Sequence, residues 1–508
     1  MSRAATVAAA VVFVVVATTM QLWRLSNENV LGTVWYEDGT VFYSDALDLP
    51  LTETFAKSYN GYGHALPRVL AAVGSWLPPE WYSAWVAVSS TVVVSLLALF
   101  LYFASAPLLR APIRRGILAI SLLVLPVLSL EVLATLSNLQ WTLLIACLFA
   151  VLFPVEGWGG ISVRALIVVI APLTSPLSLV ATPLALYHLV VFAQRRDTSR
   201  RFVVPALYLG ACLGQILMIV GAGHRPLAVA GEPAPPVGDV LGDVADLYNV
   251  GVLIYGGLGT EVSSELWRSS STWVGWVAIA VIGMMLLVKL RGAQSTARLW
   301  IAGFALASPA FFALTMSQRS GRVAPALSSL PVDTRYWVVP QIFLLVAFLV
   351  PPVVDRGLLL GAYRDEGVGF STIVRESPGR WGVALNGGLP WIALSVFTVA
   401  WLAVAVVPSY RHDVGRSELP SWPDQVEAAR AACRTDPTAA QVVDVAAPDW
   451  RLRMTCDELN VGDPSALDQP RRTTIVRPLQ PAGSFGAPCS RADGSSNSRG
   501  MGRIPRCA

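Results

Sequence analysis

Repeated apolar segments, several of them about as long as a bilayer is thick, constrain this chain more than any other feature. A membrane-spanning helix needs roughly 20 apolar residues, and residues 4–23, 81–104, 202–221 and 273–290 reach or approach that length. Of the 508 residues, 54% are hydrophobic and only 14% are charged, which leaves too few polar residues to cover a soluble protein of this size. The sequence therefore predicts an all-α polytopic membrane protein with about 11 transmembrane helices.

Basic and acidic residues fall into different predicted loops. The basic loops are marked by Arg110, Arg114 and Arg115; by Arg195, Arg196, Arg200 and Arg201; by Lys289, Arg291 and Arg298; and by Arg356, Arg364, Arg375 and Arg380. Cytoplasmic loops of membrane proteins are enriched in Arg and Lys. We therefore expect a multi-pass protein of the plasma membrane with a cytoplasmic N-terminus, and the two acidic loops, 24–80 and 222–272, outside. The net charge of +4 is explained by these loops and indicates no nucleic-acid partner.

The first apolar segment has a second interpretation, because Arg3 followed by an apolar run is also typical of a signal peptide. Residues 17–23 lack a small-x-small cleavage site. An uncleaved first helix is the interpretation that we favour.

Two adjacent carboxylates stand just beyond that helix, in Trp35-Tyr36-Glu37-Asp38-Gly39. The aromatic residues around them favour a membrane–water boundary. A loop of this kind is suited to hold a catalytic base on the outer face, with Asp38 as the first candidate and Glu37 as the second. The simpler alternative is that both are solvated loop acids.

Other polar residues on the same predicted side are candidate substrate ligands: His64, Arg68, Asn138, Gln140, Arg335 and Tyr336. Arginine binds phosphate through a bidentate fork, so Arg68 and Arg335 are candidates for a phosphate group. Each has an alternative role. His64 and Arg68 would anchor the loop to lipid headgroups, Asn138 and Gln140 would simply begin a helix, and Arg335 would extend its charge to the bilayer surface.

The order of a first helix, an outer loop with an acidic pair, and many further helices resembles the GT-C class of membrane glycosyltransferases, of the type that builds cell-envelope glycans in actinobacteria. The motif Trp35 to Gly39, with Phe42 after it, is similar to the acidic motif of that class. The resemblance covers residues 1–407 as architecture. It implies a sugar donor on a polyprenyl phosphate and a cell-envelope glycan or lipid acceptor. It also implies a carboxylate that acts as a base or, in some members, helps to hold a divalent metal, here at Glu37 and Asp38.

Two other functions stay open. A transporter or lipid flippase would show intramembrane charge pairs and inverted repeats, and the sequence shows no clear repeat and few charges within its apolar segments. A non-catalytic envelope assembly protein would keep the fold without the activity.

The composition changes after residue 407. With an odd number of spans, residues 408–508 lie outside the cell. Residues 408–482 predict a small α+β domain, with a helix near 424–434 and a strand near 441–445, and residues 483–508 predict a disordered tail. Cysteines pair in oxidising compartments, so we expect a disulfide between Cys433 and Cys456.

Overall fold

The fold is described from a computed structural model. It covers residues 3–128, 132–153, 155, 157–194, 200–222, 244–259, 263, 273–317, 334–354, 396, 400, 416, 420–438, 440–445 and 451–459. All of them belong to one compact unit, 1–471, and residues 472–508 form another. Most of the loop 222–272 and of the predicted helix 389–407 lies outside the described residues, as do the basic residues 356–380 and the predicted disordered tail.

Helices make up most of the described chain. The long and medium ones are α1 (Arg3–Arg24), α4 (Ala65–Gly74), α5 (Tyr82–Ala104), α6 (Pro112–Val124), α7 (Leu139–Leu152), α8 (Trp158–Thr174), α9 (Thr182–Gln194), α10 (Val203–Gly221), α11 (Trp273–Arg291), α12 (Ser295–Ser317) and α13 (Val338–Leu349). Two short helices, α2 (Ser44–Asp48) and α3 (Leu51–Ala56), lie in the first loop.

Among the described residues, α1, α5, α9, α10 and α12 are long and apolar enough to cross a membrane, three of them with the 3-10 turn that precedes them. Four apolar helices are shorter: α4, α7, α8 and α13 with its preceding turn. This pattern fits an all-α protein inserted in a lipid bilayer. The count of about 11 spans is not confirmed, because several of the apolar segments form helices too short to span alone.

One end of the helix bundle, here called the loop end, gathers the first loop and the ends of several helices. The Leu66 amide donates to Thr174 Oγ1 (3.1 Å) at the C-terminus of α8, and the Gly63 amide donates to Gln215 Oε1 (3.3 Å) near the C-terminus of α10. A 3-10 turn, Thr334–Trp337, leads into α13 at the same end. Residues far apart in sequence therefore meet around the first loop.

Two cationic side chains bond to the C-terminal end of α13, the end opposite the loop end. Arg114 Nη1 donates to the Leu349 carbonyl (3.3 Å), and Lys289 Nζ donates to the Phe348 carbonyl. Positive charge at the C-terminal end of a helix is favourable, because the free carbonyls there carry partial negative charge. Two of the basic loops therefore share the end of the bundle that faces away from the first loop. Which end faces the cytoplasm stays a prediction.

The C-terminal segment, residues 416–459, packs on the first loop. It contains α14 (Trp422–Thr435), the antiparallel pair β1 (Gln441–Asp444) and β2 (Arg451–Met454), and α15 (Cys456–Leu459), with Gln441 opposite Met454 and Asp444 opposite Arg451. Cys433 and Cys456 form the disulfide that the sequence analysis expects.

Two hydrogen bonds and an ion pair fix this segment to the loop. The Trp422 amide donates to the Gly32 carbonyl (2.6 Å), and its indole nitrogen donates to the Pro79 carbonyl (2.8 Å). Arg430 Nη2 lies 2.6 Å from Glu80 Oε2. The compact unit continues to residue 471, and the segment shares one hydrophobic core with the first loop.

Candidate functional site

The two adjacent carboxylates of the first loop lie in different environments. Asp38 begins a π-helical turn, Asp38–Tyr43, and is 0% exposed, whereas Glu37 is half-buried. Such turns, which carry an extra residue, are frequent at functional sites. Because Asp38 has no exposed surface, Glu37 and Asp38 do not share a solvent-facing surface.

Asp38 is tied to the segment that precedes α7. Its Oδ2 accepts a hydrogen bond from the Leu136 amide and its Oδ1 accepts one from the Ser137 amide, each at 2.9 Å. Burial raises the pKa of the Asp38 carboxyl from 3.8 to about 7; the two amides oppose this shift, Glu37 adds to it, and Arg416 opposes it. Both oxygens are engaged, and a substrate hydroxyl has no path to either in this conformation.

Glu37 belongs to a second group of residues, here called the Glu37–Arg335 cluster. Its members come from the first loop, from α7 and from the turn before α13, and they are Glu37, Tyr59, Tyr62, Trp141, Arg335 and Tyr336. Burial raises the pKa values of Tyr59 and Tyr62; the charge of Glu37 adds to this effect, and Arg335 opposes it. A carboxylate and a guanidinium therefore act on the same two phenols.

Aromatic rings form the walls of this cluster. Trp141 meets Tyr336 edge to face with ring centroids 5.0 Å apart, and the Arg335 guanidinium lies 5.4 Å from the Tyr336 centroid. Glu37 Oε2 and the indole nitrogen of Trp141 are buried and make no hydrogen bond within the part of the chain that the structure describes. An unpaired acceptor and an unpaired donor beside aromatic faces are suited to a small polar ligand.

Two of the predicted substrate ligands, His64 and Arg68, are buried in protein contacts. His64 is 3% exposed and stacks on Tyr62 with centroids 4.3 Å apart. Burial, with a contribution from Arg68, lowers its pKa to about 3, so the ring is neutral at pH 7. Arg68 is 1% exposed and pairs with Asp45, with 2.8 Å between Nη1 and Oδ2. Both side chains stabilise the loop itself, since Arg68 also lies over the Phe42 ring.

The remaining candidates flank the cluster. Asn138 is buried at the N-terminus of α7, where its side-chain amide donates to Thr135 Oγ1 (3.2 Å), and Gln140 is half-buried beside Trp141. Among the described residues, no group of three His, Cys, Asp or Glu side chains is placed to hold a metal. Since both Asp38 oxygens accept backbone amides, Glu37 and Asp38 do not offer two open carboxylates to a divalent metal.

Four residues of this region were not predicted: Tyr59, Tyr62, Trp141 and Arg416. No sequence signal singled out the three aromatic residues as part of a site, and Arg416 lies in a stretch without a recognisable motif. Arg416 donates from its amide to Glu28 Oε2 (3.0 Å) and lies beside Asp38.

Comparison with known proteins gives no further guidance. No protein-family model matches the chain, and no curated protein or solved structure shows a significant match.

Proposed function

We propose that the protein is a membrane glycosyltransferase that moves a sugar from a polyprenyl-phosphate donor to a cell-envelope acceptor. The Glu37–Arg335 cluster carries this proposal. Glycosyl transfer needs a base for the acceptor hydroxyl and positive charge beside the leaving phosphate. Glu37 and Arg335 supply these two groups among aromatic rings, at the end of an apolar helix bundle.

Glu37 is the base in this proposal, because Asp38 has no exposed surface and both of its oxygens accept backbone amides. The Glu37 carboxylate takes the proton of the acceptor hydroxyl, whose oxygen bonds to the anomeric carbon of the sugar. The bond from that carbon to the phosphate oxygen breaks, and the lipid phosphate leaves with the electron pair. Arg335 stabilises the charge that develops on this phosphate.

Turnover by the purified protein in detergent tests the proposal, with labelled polyprenyl-phosphate sugars and candidate glycan acceptors. A general base typically contributes about 10²–10⁴-fold, so Glu37→Gln should lower turnover by that order while donor binding persists. Arg335→Gln should weaken donor binding. Glu53→Gln, in an exposed part of the same loop, is the control. Wild-type turnover in Glu37→Gln would reject the catalytic assignment, and a protein that binds no polyprenyl phosphate would reject the transferase itself.

The proposed orientation places the loop end outside the plasma membrane and the N-terminus in the cytoplasm. It rests on the charge difference between the loops. In sealed cells, an impermeant thiol reagent should modify a cysteine placed at Pro50, which is exposed at the loop end, and should not reach one placed at Thr198. Modification at Thr198 would overturn this orientation.

A further inference from the structure

Arg416 brings a buried positive charge from the C-terminal segment to the first loop. The residue is 3% exposed. Its Nε donates to Thr33 Oγ1 and its Nη2 donates to the Thr33 carbonyl, each at 3.3 Å, and the guanidinium lies 5.0 Å from the Trp35 ring centroid. One side chain thus contacts both the backbone and a ring of the stretch that leads into the acidic pair.

Two buried carboxylates belong to the same region, and one of them accepts a hydrogen bond from the Arg416 amide (3.0 Å). Glu28 is 1% exposed and Asp38 is 0% exposed, and the charges of both interact with Arg416. Isolated buried charges are costly, and an opposite charge close by offsets that cost. Glu28, Asp38 and Arg416 therefore form a buried charge group that is incomplete without the C-terminal segment.

The contacts of Arg416 continue into the turn that holds Glu37. The Trp35 carbonyl accepts hydrogen bonds from the Asp38 amide (2.9 Å) and the Gly39 amide (3.3 Å). Residues 33–35 are held by Arg416 on one side and start the Glu37–Asp38 turn on the other. A displacement of the guanidinium would therefore move the backbone that positions both Glu37 and Asp38.

We propose that Arg416 is a positioning residue of the candidate site, and that the C-terminal segment is a required part of this site because it supplies the counter-charge of Asp38. The inference rests on the proposed site. Its test needs no turnover, so it can fail or succeed independently of the glycosyltransferase activity.

The test measures the pH at which the Asp38 carboxyl loses its proton in the full-length protein, because the charge of Arg416 should affect this pH. Infrared difference spectra recorded from pH 4 to pH 9 would follow the protonated-carboxyl band that disappears in Asp38→Asn. The groups that face Asp38 are Glu37 next to it, Arg416, the amides of Leu136 and Ser137, and the Tyr82 hydroxyl, which donates to its carbonyl (2.7 Å). Loss of a neighbouring cation favours the protonated acid, so Arg416→Gln should raise the titration midpoint above that of the wild type.

Two control variants distinguish the loss of the Arg416 charge from a general loss of structure. Arg416→Lys keeps the cation and should hold the midpoint within about half a unit of the wild type. Arg430→Gln removes another arginine of the same segment, one that bonds to Glu80 and to the Leu459 carbonyl, and should leave the midpoint unchanged. An unshifted midpoint in Arg416→Gln would overturn the proposal, as would an equal shift in Arg430→Gln. If Arg416→Gln does not fold, Arg416→Lys decides by itself, and a shift larger than half a unit counts against the proposal.

Discussion

Arg68 and Asp45 form a buried ion pair, with 2.8 Å between Nη1 and Oδ2, and Lys57 binds the other oxygen of the same carboxylate. Removing one partner of a buried pair leaves the other charge poorly compensated and costs about 3–5 kcal/mol. Since Lys57 would still face Asp45, we expect Arg68→Met to lower the free energy of unfolding by about 3 kcal/mol, at the lower end of that range. Chemical unfolding in detergent micelles would measure it.

Lys57→Gln is the matched control, because the Lys57 side chain is 48% exposed. Exposed pairs contribute little, and the loss should stay below about 1 kcal/mol. If Arg68→Met kept the stability of the wild type and only weakened donor binding, Arg68 would be a phosphate ligand after all.

Gly39 allows the C-terminal segment to approach the first loop closely. A Cβ at this position would lie 2.6 Å from Val445 Cγ1 and 3.1 Å from Val34 Cγ1. Overpacking of this kind typically costs about 1–3 kcal/mol, so Gly39→Ala should lower the free energy of unfolding by that amount. Val445→Ala removes the closer of the two methyl groups and should recover part of the loss in the double variant. Additive effects of the two changes would show that this contact does not cause the destabilisation.

Asp38 should make the free energy of unfolding depend on pH. The pKa of this carboxyl is raised to about 7 in the folded protein, mainly by burial, so between about pH 4 and pH 7 the folded state binds a proton that the unfolded state has lost. The Asp38 contribution to stability is therefore greatest at the acidic end and is lost as the pH rises to about 7. In Asp38→Asn this decline should be absent, as determined by unfolding at a series of pH values.

His64 should give the opposite dependence of the free energy of unfolding on pH, and it serves as an internal comparison for Asp38. Its pKa is lowered to about 3, so below pH 6.5 the unfolded chain takes up a proton that the folded chain excludes. The stability contributed by the neutral ring is lost as the pH falls from about 6.5 to about 3, and His64→Gln should remove that dependence. If the stability contributions of Asp38 and His64 changed with pH in the same direction, one of the two side chains would not be buried as described.

The Cys433–Cys456 bond should stabilise the C-terminal segment. The two residues are 23 positions apart, and closing a loop of this size contributes about 3 kcal/mol in the loop-entropy treatment. The paired Cys433→Ser and Cys456→Ser variant should therefore be cleaved faster between residues 416 and 459 in limited proteolysis. Reductant should speed cleavage of the wild type and leave the paired variant unchanged. Free thiols at both positions in unreduced peptide maps would contradict the pairing.

Much of the fold follows from local sequence. Hydropathy locates α5 and α10 within a few residues, because burial in lipid or in a helix bundle selects the same apolar residues along the whole helix. Hydropathy does not encode where a helix ends: Leu125 leaves the helical conformation, with φ −52° and ψ 136°, and stops α6 at Val124.

Residues of the candidate site were predicted only where the side-chain type by itself indicates a function. Glu37, Arg335 and Tyr336 were expected on one side of the membrane, and the structure brings them to one cluster. His64 and Arg68 have the same chemistry in sequence as exposed phosphate ligands, and only tertiary packing shows that they are buried. Arg416 had no local signal at all, because its partner Glu28 is 388 positions away.

That distance has a consequence for biosynthesis. Glu28 and Asp38 emerge from the ribosome early, whereas the cation that neutralises them is synthesised 388 residues after Glu28. The first loop cannot acquire its final charge balance before residue 416 has been synthesised, since buried carboxylates without a counter-charge are unfavourable. Nascent chains halted before residue 416 should therefore hold this loop open to proteases, which makes completion of the loop a late step of maturation.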